Sequence, residues 1–307
     1  MMKPIHYLSI LFLFFACKSD PKSDSSGALS NKEESRASAA HSVKPGAGKN
    51  LNISLLLDLS DRINPEKYPN PSMEYYQRDA AYIQTVATAF KANIQQKKII
   101  LIDDQIQLFF APEPLNPEIN TISKDLKYSF NKANISNDRL ALFEQHYKEL
   151  PTKIYELAIL DDHYVGSDTW KFMNQKVKDY CISEDYRNIL VILTDGYIYH
   201  KDNLRKEGNQ TTYLTPEFIR SNHLIDNNWN QKYEEKNYGF IPANTKLNNL
   251  EVLVLGINPD AKNDFEDDVI KRYWSDWLES MGVVNYKIYN ADLPSNMQQV
   301  INKFIQS

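Results

Sequence analysis

The feature that narrows the fold most is a set of strands with no polar face. The segments "NISLLLD" (52–58), "NILVILTD" (188–195) and "NLEVLVLGI" (249–257) are near-continuous runs of branched apolar residues. A strand with one solvated face alternates apolar and polar side chains, whereas a strand apolar on both faces must be covered on both. Segments of helical periodicity separate these runs, so the expected architecture is α/β: a doubly wound, mostly parallel sheet with helices on both faces. At 42% hydrophobic residues the chain has enough apolar side chains for such a core.

The remaining segments are assigned by period and punctuation. Residues 70–96 carry apolar side chains at helical spacing, with Asn70 or Ser72 as the expected cap. "KKIILIDDQIQLFF" (97–110) reads as a hairpin turning at Asp103-Asp104. Segments 121–133 and 138–160 read as helices, the second broken or bent near Pro151. A helix is expected over 166–182, capped by Ser167 or Asp168, and another over 264–282, stopped at Gly282. A last strand (284–290) and a last helix (295–306) close the chain. Residues 197–249 are rich in Tyr, Asn, Lys and Glu, too long for an ordinary connection, and read as a surface insertion.

Two of the apolar strands end in polar clusters. The first runs into Asp58, followed by Ser60, Asp61 and Arg62, and the second into Thr194, Asp195 and Gly196. In doubly wound sheets, ligands sit beyond the carboxyl ends of the strands, where the strand order reverses. Carboxylates brought together there repel one another unless a cation intervenes or one is protonated. Carboxylate and hydroxyl oxygens are the donors that Mg²⁺ or Mn²⁺ selects, so a divalent-cation site is expected.

The order of these motifs resembles the von Willebrand factor type A (vWA) domain, whose metal-ion-dependent adhesion site has the form Asp-x-Ser-x-Ser after the first strand, a Thr in a Gly-containing loop, and an Asp after the fourth strand. Asp58 and Ser60 match the first two positions and Asp195 in "LTDG" the last; "VGSDTW" (165–170) supplies Ser167, or else Thr169, for the loop hydroxyl. The resemblance implies metal ligands Asp58, Ser60, Ser167, Thr169 and Asp195. It also implies an antiparallel edge strand, placed in the hairpin at 97–110. Arg62 stands where the family has its second Ser, so the site is degenerate. A guanidinium turned inward would stand in for the cation between Asp58 and Asp195; turned outward, it would leave Asp61 or water to complete the shell. Asp61, Arg62 and Asp162 are therefore expected to modulate the site. Asp161 and His163 lie near the same face, His163 either as a ligand or as a hydrogen-bonded surface residue.

The N-terminus reads as an address. A short lysine-containing segment precedes the apolar run "LSILFLFFA" (8–16), too short to span a bilayer. It stops at Ala16-Cys17, which resembles the lipobox of bacterial lipoproteins and implies a signal peptide over 1–16 and acylation of Cys17. Residues 17–50, rich in Ser, Ala, Lys and Glu, have the composition of a flexible tether. The folded domain is expected over 51–307, with lipid anchoring to the cell envelope, on the outer membrane by the sorting pattern that Lys18 suggests. The other cysteine, Cys181, reads as a buried apolar residue, so no disulfide framework is available.

A net charge of −5 and the absence of a basic stripe argue against nucleic acid. No GxGxxG or GxxxxGK[ST] loop occurs. The vWA resemblance implies binding rather than catalysis: an envelope or surface protein would present a carboxylate to the cation. The insertion either takes part in that recognition or merely covers the end of the sheet. The alternatives are a metal-dependent envelope hydrolase of phosphoesterase type, for which no nucleophile–base pair is evident, and a metal-free structural lipoprotein.

Overall fold

The computed structural model describes residues 49–161, 163–164 and 166–307. In chain order these form β1 (Asn50–Leu57), α1 (Tyr75–Gln95), β2 (Asp103–Phe110), α2 (Pro117–Asp125), β3 (Tyr128–Asn131), α3 (Asn137–Asp161), α4 (Thr169–Gln175), α5 (Val177–Cys181) and β4 (Tyr186–Leu193). There follow β5 (Lys206–Glu207), β6 (Gln210–Thr211), α6 (Pro216–Ser221), α7 (Trp229–Glu235), β7 (Gly239–Phe240), β8 (Leu250–Ile257), α8 (Glu266–Ser280), β9 (Asn285–Asn290) and α9 (Pro294–Gln306). Short 3₁₀ turns occupy Asp61–Ile63 and Ile99–Leu101.

The main sheet has the order β3-β2-β1-β4-β8-β9. All neighbours are parallel except β2 and β3, so this is a doubly wound α/β fold with one antiparallel edge. Alternate residues of each central strand enter opposite layers, as the period of two requires. In the first layer Ile53, Leu55, Ile189, Val191, Leu253 and Leu255 meet the apolar faces of α1, α3 and α9. In the second, Leu56, Leu190, Ile192, Val252 and Val254 meet α4, α5 and α8. The strand order reverses between β1 and β4, whose register pairs Leu57 with Leu193. Asp58 and Thr194 therefore emerge side by side.

Several expectations need correction. Segment 97–110 is not a hairpin. Asp104 is buried inside a single strand, where its carboxylate accepts from the Leu51 N–H (2.7 Å) and the Lys97 ammonium (2.6 Å). The antiparallel edge strand is β3 instead, in a segment expected to be helical: α2 stops at Asp125, and Tyr128 and Phe130 then alternate inward with polar neighbours. Phe130 is held in an aromatic cluster with Phe90 and Phe143, a tertiary contact that overrides local helical propensity. Pro151 lies within the continuous helix α3. Neither Asn70 nor Ser72 caps α1, which starts after Glu74; Asn70 accepts from the Ser72 N–H and from the Arg78 guanidinium. The expected helix over 166–182 is divided at Lys176 into α4 and α5, with Asp168 accepting from the Lys171 N–H at its start.

The insertion is more than a surface excursion. It holds the small β5-β6-β7 sheet and two helices. Leu214, Ile219, Leu224, Phe240 and Leu247 are fully or almost fully buried in the core under α8. Trp170 and Trp277 both donate to the Ile241 carbonyl, at 2.7 and 3.1 Å, and so tie the insertion to α4 and α8. Cys181 is buried, as its apolar surroundings imply, and burial pushes its thiol up to about 12. Among the described residues no helix is long and apolar enough to cross a membrane. Residues 1–48, with Cys17, lie outside the described residues.

Candidate functional site

The carboxyl ends of β1 and β4 form the floor of a cavity of about 490 Å³. Ser60, Asp61, Arg62, Ser167 and Asp195 line it. Asp58 lies just behind. Its carboxylate accepts from the Ser60 N–H at 2.9 Å and from the Thr194 hydroxyl at 3.1 Å, so it is fixed from both strands at once. Asp195 lies beside it, half-buried at the cavity floor. The Tyr197 N–H donates to its carboxyl at 3.0 Å, yet no cationic side chain lies within 4 Å among the described residues. Burial, then the neighbouring Asp58 charge, push the Asp195 carboxyl up to about 7, against a smaller opposing pull from Arg62.

Ser167 and Thr169 belong to the loop that opens α4. Their hydroxyls lie 3.3 Å apart, and Ser167 faces the cavity. The backbone of Ser167 pairs with that of Tyr199, N to O at 2.8 Å in one direction and 3.0 Å in the other. This pairing brings the Tyr199 carbonyl so close to Gly166 (φ +86°) that a Cβ there would sit 2.2 Å from it. Only glycine supports that approach without displacing backbone.

Arg62 points inward and is buried. It does not lie between Asp58 and Asp195. Its guanidinium pairs with Asp79 on α1, and its Nε lies 3.7 Å from Asp58. That Nε is buried without a hydrogen bond. Burial alone would lower the guanidinium pKa, but the charges of Asp79 and then Asp58 outweigh it and hold the group firmly protonated. Asp79 also accepts from the Tyr155 hydroxyl at 3.1 Å; burial pushes its carboxyl up despite Arg62. Asp79 is the site residue that the sequence analysis missed. A signal was present: in "QRDAAYIQTV" the acid falls on the same helical stripe as Ile83 and Val86, where a carboxylate is buried only with a partner.

The other expected modulators are peripheral or undescribed. Asp61 is half-exposed on the rim, 3.6 Å from Lys67. His163 is exposed, 3.5 Å from the Asp161 carboxylate, and does not line the cavity. Asp162 lies outside the described residues. The insertion overhangs the site, as its place directly after Asp195 led one to expect, but the part that the loop after β8 takes in the far wall was not foreseen. That wall comes from α6 and from the loop after β8: Arg220 bridges Glu217 (2.7 Å) and Asp260 (2.9 Å), and the Tyr75 hydroxyl reaches Asn258 at 3.1 Å.

The cavity is acidic. Asp61, Asp195, Glu217 and Asp260 face Arg62 and Arg220 across it, with Asp58 and Asp79 behind. At its floor the sum is three carboxylates (Asp58, Asp79, Asp195) against one guanidinium, or −2 when Asp195 is ionised. The donor set fits a hard divalent cation: Asp195 and the hydroxyls of Ser60 and Ser167 would hold it, with Asp58 and Thr169 next to them. Such an ion would supply the charge that Asp195 lacks and an acceptor for an anionic ligand. No cluster of three or more His, Cys, Asp or Glu side chains with metal-binding geometry occurs among the described residues, so a cation here would depend on hydroxyl and water oxygens.

Fold and site together define a doubly wound α/β domain with an acidic cavity at its topological switch point. Neither a protein-family model nor a curated protein matches the sequence. Among solved structures, the chain is similar to an aerotolerance-related membrane protein from Bacteroides fragilis NCTC 9343 bearing multiple mutations to serine, at 11% identity, with 84% of this chain and 99% of that chain covered and a TM-score of 0.37. It is similar also to the conserved hypothetical protein BatB from Bacteroides thetaiotaomicron, at 9% identity, 84% and 98% coverage and a TM-score of 0.38. A third likeness, at 11% identity and a TM-score of 0.38, is to the pilus adhesin SpaC from Lactobacillus rhamnosus GG; there 84% of this chain is covered but only 30% of the adhesin. Likenesses this loose assign no function. The fold rests on this chain's own strand order.

Proposed function

We propose that this protein is a lipid-anchored envelope protein whose vWA-like domain binds a partner protein through a divalent cation, Mg²⁺ or Mn²⁺, held at the ends of β1 and β4. The observation that carries this reading is Asp195. It is a half-buried carboxyl facing an open cavity lined by the Ser60 and Ser167 side chains, with a second carboxylate behind it and, among the described residues, no cationic partner within 4 Å. In this reading Arg62 is the permanent counter-ion of Asp58 and Asp79. It lowers the floor to the −2 that one divalent ion neutralises. The partner presents a carboxylate, and the Tyr-lined wall supplied by the insertion adds contact area of the kind that protein interfaces favour. Acylation at Cys17 provides the anchor. Among the described residues no histidine lines the cavity, so a hydrolase would have to find its general base among the carboxylates.

Thermal melting at pH 8 tests the cation, with chelator and with Mg²⁺ or Mn²⁺. A folded-state ligand raises the melting temperature by mass action. Wild type should respond and Asp195→Asn should not; no response in either wild type or Arg62→Ser would sink the cation. A pull-down from envelope extract tests the partner, which should be retained with cation and released by chelator. Turnover of a generic phosphoester by the metal-loaded protein would move the reading to a hydrolase. For the anchor, Cys17→Ser should abolish lipid labelling.

A further inference from the structure

At the end of the sheet opposite the cavity, three consecutive apolar side chains stand in solvent. Ile99, Ile100 and Leu101 are 60%, 74% and 58% exposed, in the 3₁₀ turn immediately before β2. Isolated exposed apolar residues are ordinary, but a contiguous run marks a surface that something covers. The turn is well built. The Leu101 N–H donates to the Lys98 carbonyl (2.8 Å) and the Ile102 N–H to the Ile99 carbonyl (3.2 Å), while Ile102 is buried in the core.

Its position indicates the occupant. The Lys97 ammonium bonds to Asp104 at 2.6 Å and to the Asn50 side chain at 3.0 Å. The turn is thereby fixed beside the first residue of β1, where the chain arrives from residues 1–48. Lys49, Lys98 and Lys132 are exposed at this end; Lys132 directly follows β3, whose last residue pairs with Asp103. Asp103, which accepts from the Tyr186 hydroxyl at 2.6 Å, and the exposed Glu184 and Asp185 just before β4 are acids at the same end. Exposed apolar side chains flanked by Lys98 and Lys132 suit the boundary of a lipid surface, where the chains enter the headgroup layer and the ammonium groups meet phosphate.

We propose that this end of the sheet, through Ile99, Ile100 and Leu101, rests on the lipid surface to which Cys17 anchors the chain. The proposal rests on the anchor reading. Three side chains would not hold a free protein on a bilayer, but tethering changes the statistics. A random-coil linker of roughly 30 residues would span about 30 Å r.m.s., and confinement to such a distance raises the local concentration of lipid enough to populate a weak contact. The consequence is orientation. All the parallel strands start at the lipid, so the cavity at their carboxyl ends opens away from the membrane, toward a partner.

The test uses the acylated full chain reconstituted in phosphatidylethanolamine–phosphatidylglycerol vesicles. With Cys17 acylated and Cys181 buried, Ile100→Cys supplies a single reactive thiol for an environment-sensitive fluorophore. Lys201→Cys, exposed at the cavity end, is the control. The label at 100 should shift to the blue and be quenched by lipid-borne spin labels several-fold more than the label at 201. Adding Ile99→Asn and Leu101→Asn should abolish the difference. Protein that co-sediments with vesicles but shows a water-exposed label at 100 overturns the docking and leaves the anchor standing. Failure to co-sediment overturns both. A blue shift that persists in detergent-free solution without vesicles, with a doubled molecular mass, assigns the patch to a second copy of the chain and overturns the lipid assignment.

Discussion

Two buried arginines lie at opposite ends of the sheet, and they are satisfied very differently. Arg187, at the start of β4, makes a bidentate pair with Glu251 on β8, at 2.8 and 2.7 Å. Its remaining donors reach the carbonyls of Ile305 (2.6 Å) and Phe304 (2.7 Å) at the end of α9, where unpaired carbonyls and the helix dipole both favour a cation. Arg62 faces an excess of carboxylate: Asp79 is paired, Asp58 is reached only at 3.7 Å with Nε unbonded, and Asp195 is left out. One arginine closes a structural joint. The other leaves a charge imbalance over a cavity, and such imbalances are characteristic of binding and catalytic sites.

This contrast can be broken experimentally. The largest effect is expected for Arg187→Met, which leaves Glu251, among the described residues, with Asn285 as its one side-chain partner and unpairs two helix-end carbonyls. Breaking a buried pair of this kind costs roughly 3–5 kcal/mol, and urea unfolding should show a loss of that size that Mg²⁺ does not alter. Arg62→Ser should cost less, roughly 2–3 kcal/mol in chelator, because water in the cavity can reach the stranded carboxylates. Mg²⁺ should restore much of that loss, since the serine also completes the Asp-x-Ser-x-Ser pattern. Equal, metal-independent losses in the two variants would erase the distinction.

Smaller effects sharpen it. The Asp195 carboxyl sits at about 7 in the folded protein, against an ordinary 3.8. The folded state thus binds more protons than the unfolded chain between these values, and its stability falls as pH rises from about 4 through 7. Asp79, also pushed up by burial, adds to the slope with the same sign. Asp195→Asn should flatten part of that fall and stabilise the metal-free protein by about 1–2 kcal/mol at pH 8; unfolding at pH 5 and pH 8 in chelator measures it. An unchanged slope would remove Asp195 from the charge imbalance. Last, Lys67→Ala breaks the solvent-screened pair with Asp61 on the rim and should shift stability by no more than about 0.5 kcal/mol.

What was legible in the sequence follows from where each signal resides. Strands buried on both faces announce themselves by composition, so β1, β4 and β8 were readable, and Asp58, Ser60 and Asp195 with them as the polar ends of apolar runs. Segment 97–110 misled because Asp103-Asp104 has the form of a turn, and only the Lys97 and Leu51 contacts make Asp104 a buried strand residue. Asp79 sat unread on a helical stripe because its partner, Arg62, arrives from a separate turn of chain. The far wall of the cavity depends on how 50-odd residues of insertion fold back onto α8, and no local pattern encodes that return.

The bond between the Thr194 hydroxyl and Asp58 joins residues 136 apart in sequence, and this separation bears on the order of folding. Asp58 and Asp195 are strangers in the unfolded chain. Their repulsion is first felt when the ends of β1 and β4 are paired. If the strand ends pair after the transition state, the penalty is absent from the folding barrier and present in the native state. It should therefore leave the rate of folding almost unchanged and act on the rate of escape from the native state. Filling the cavity with a cation would then act chiefly as a latch, lengthening the lifetime of the folded domain far more than it hastens its formation.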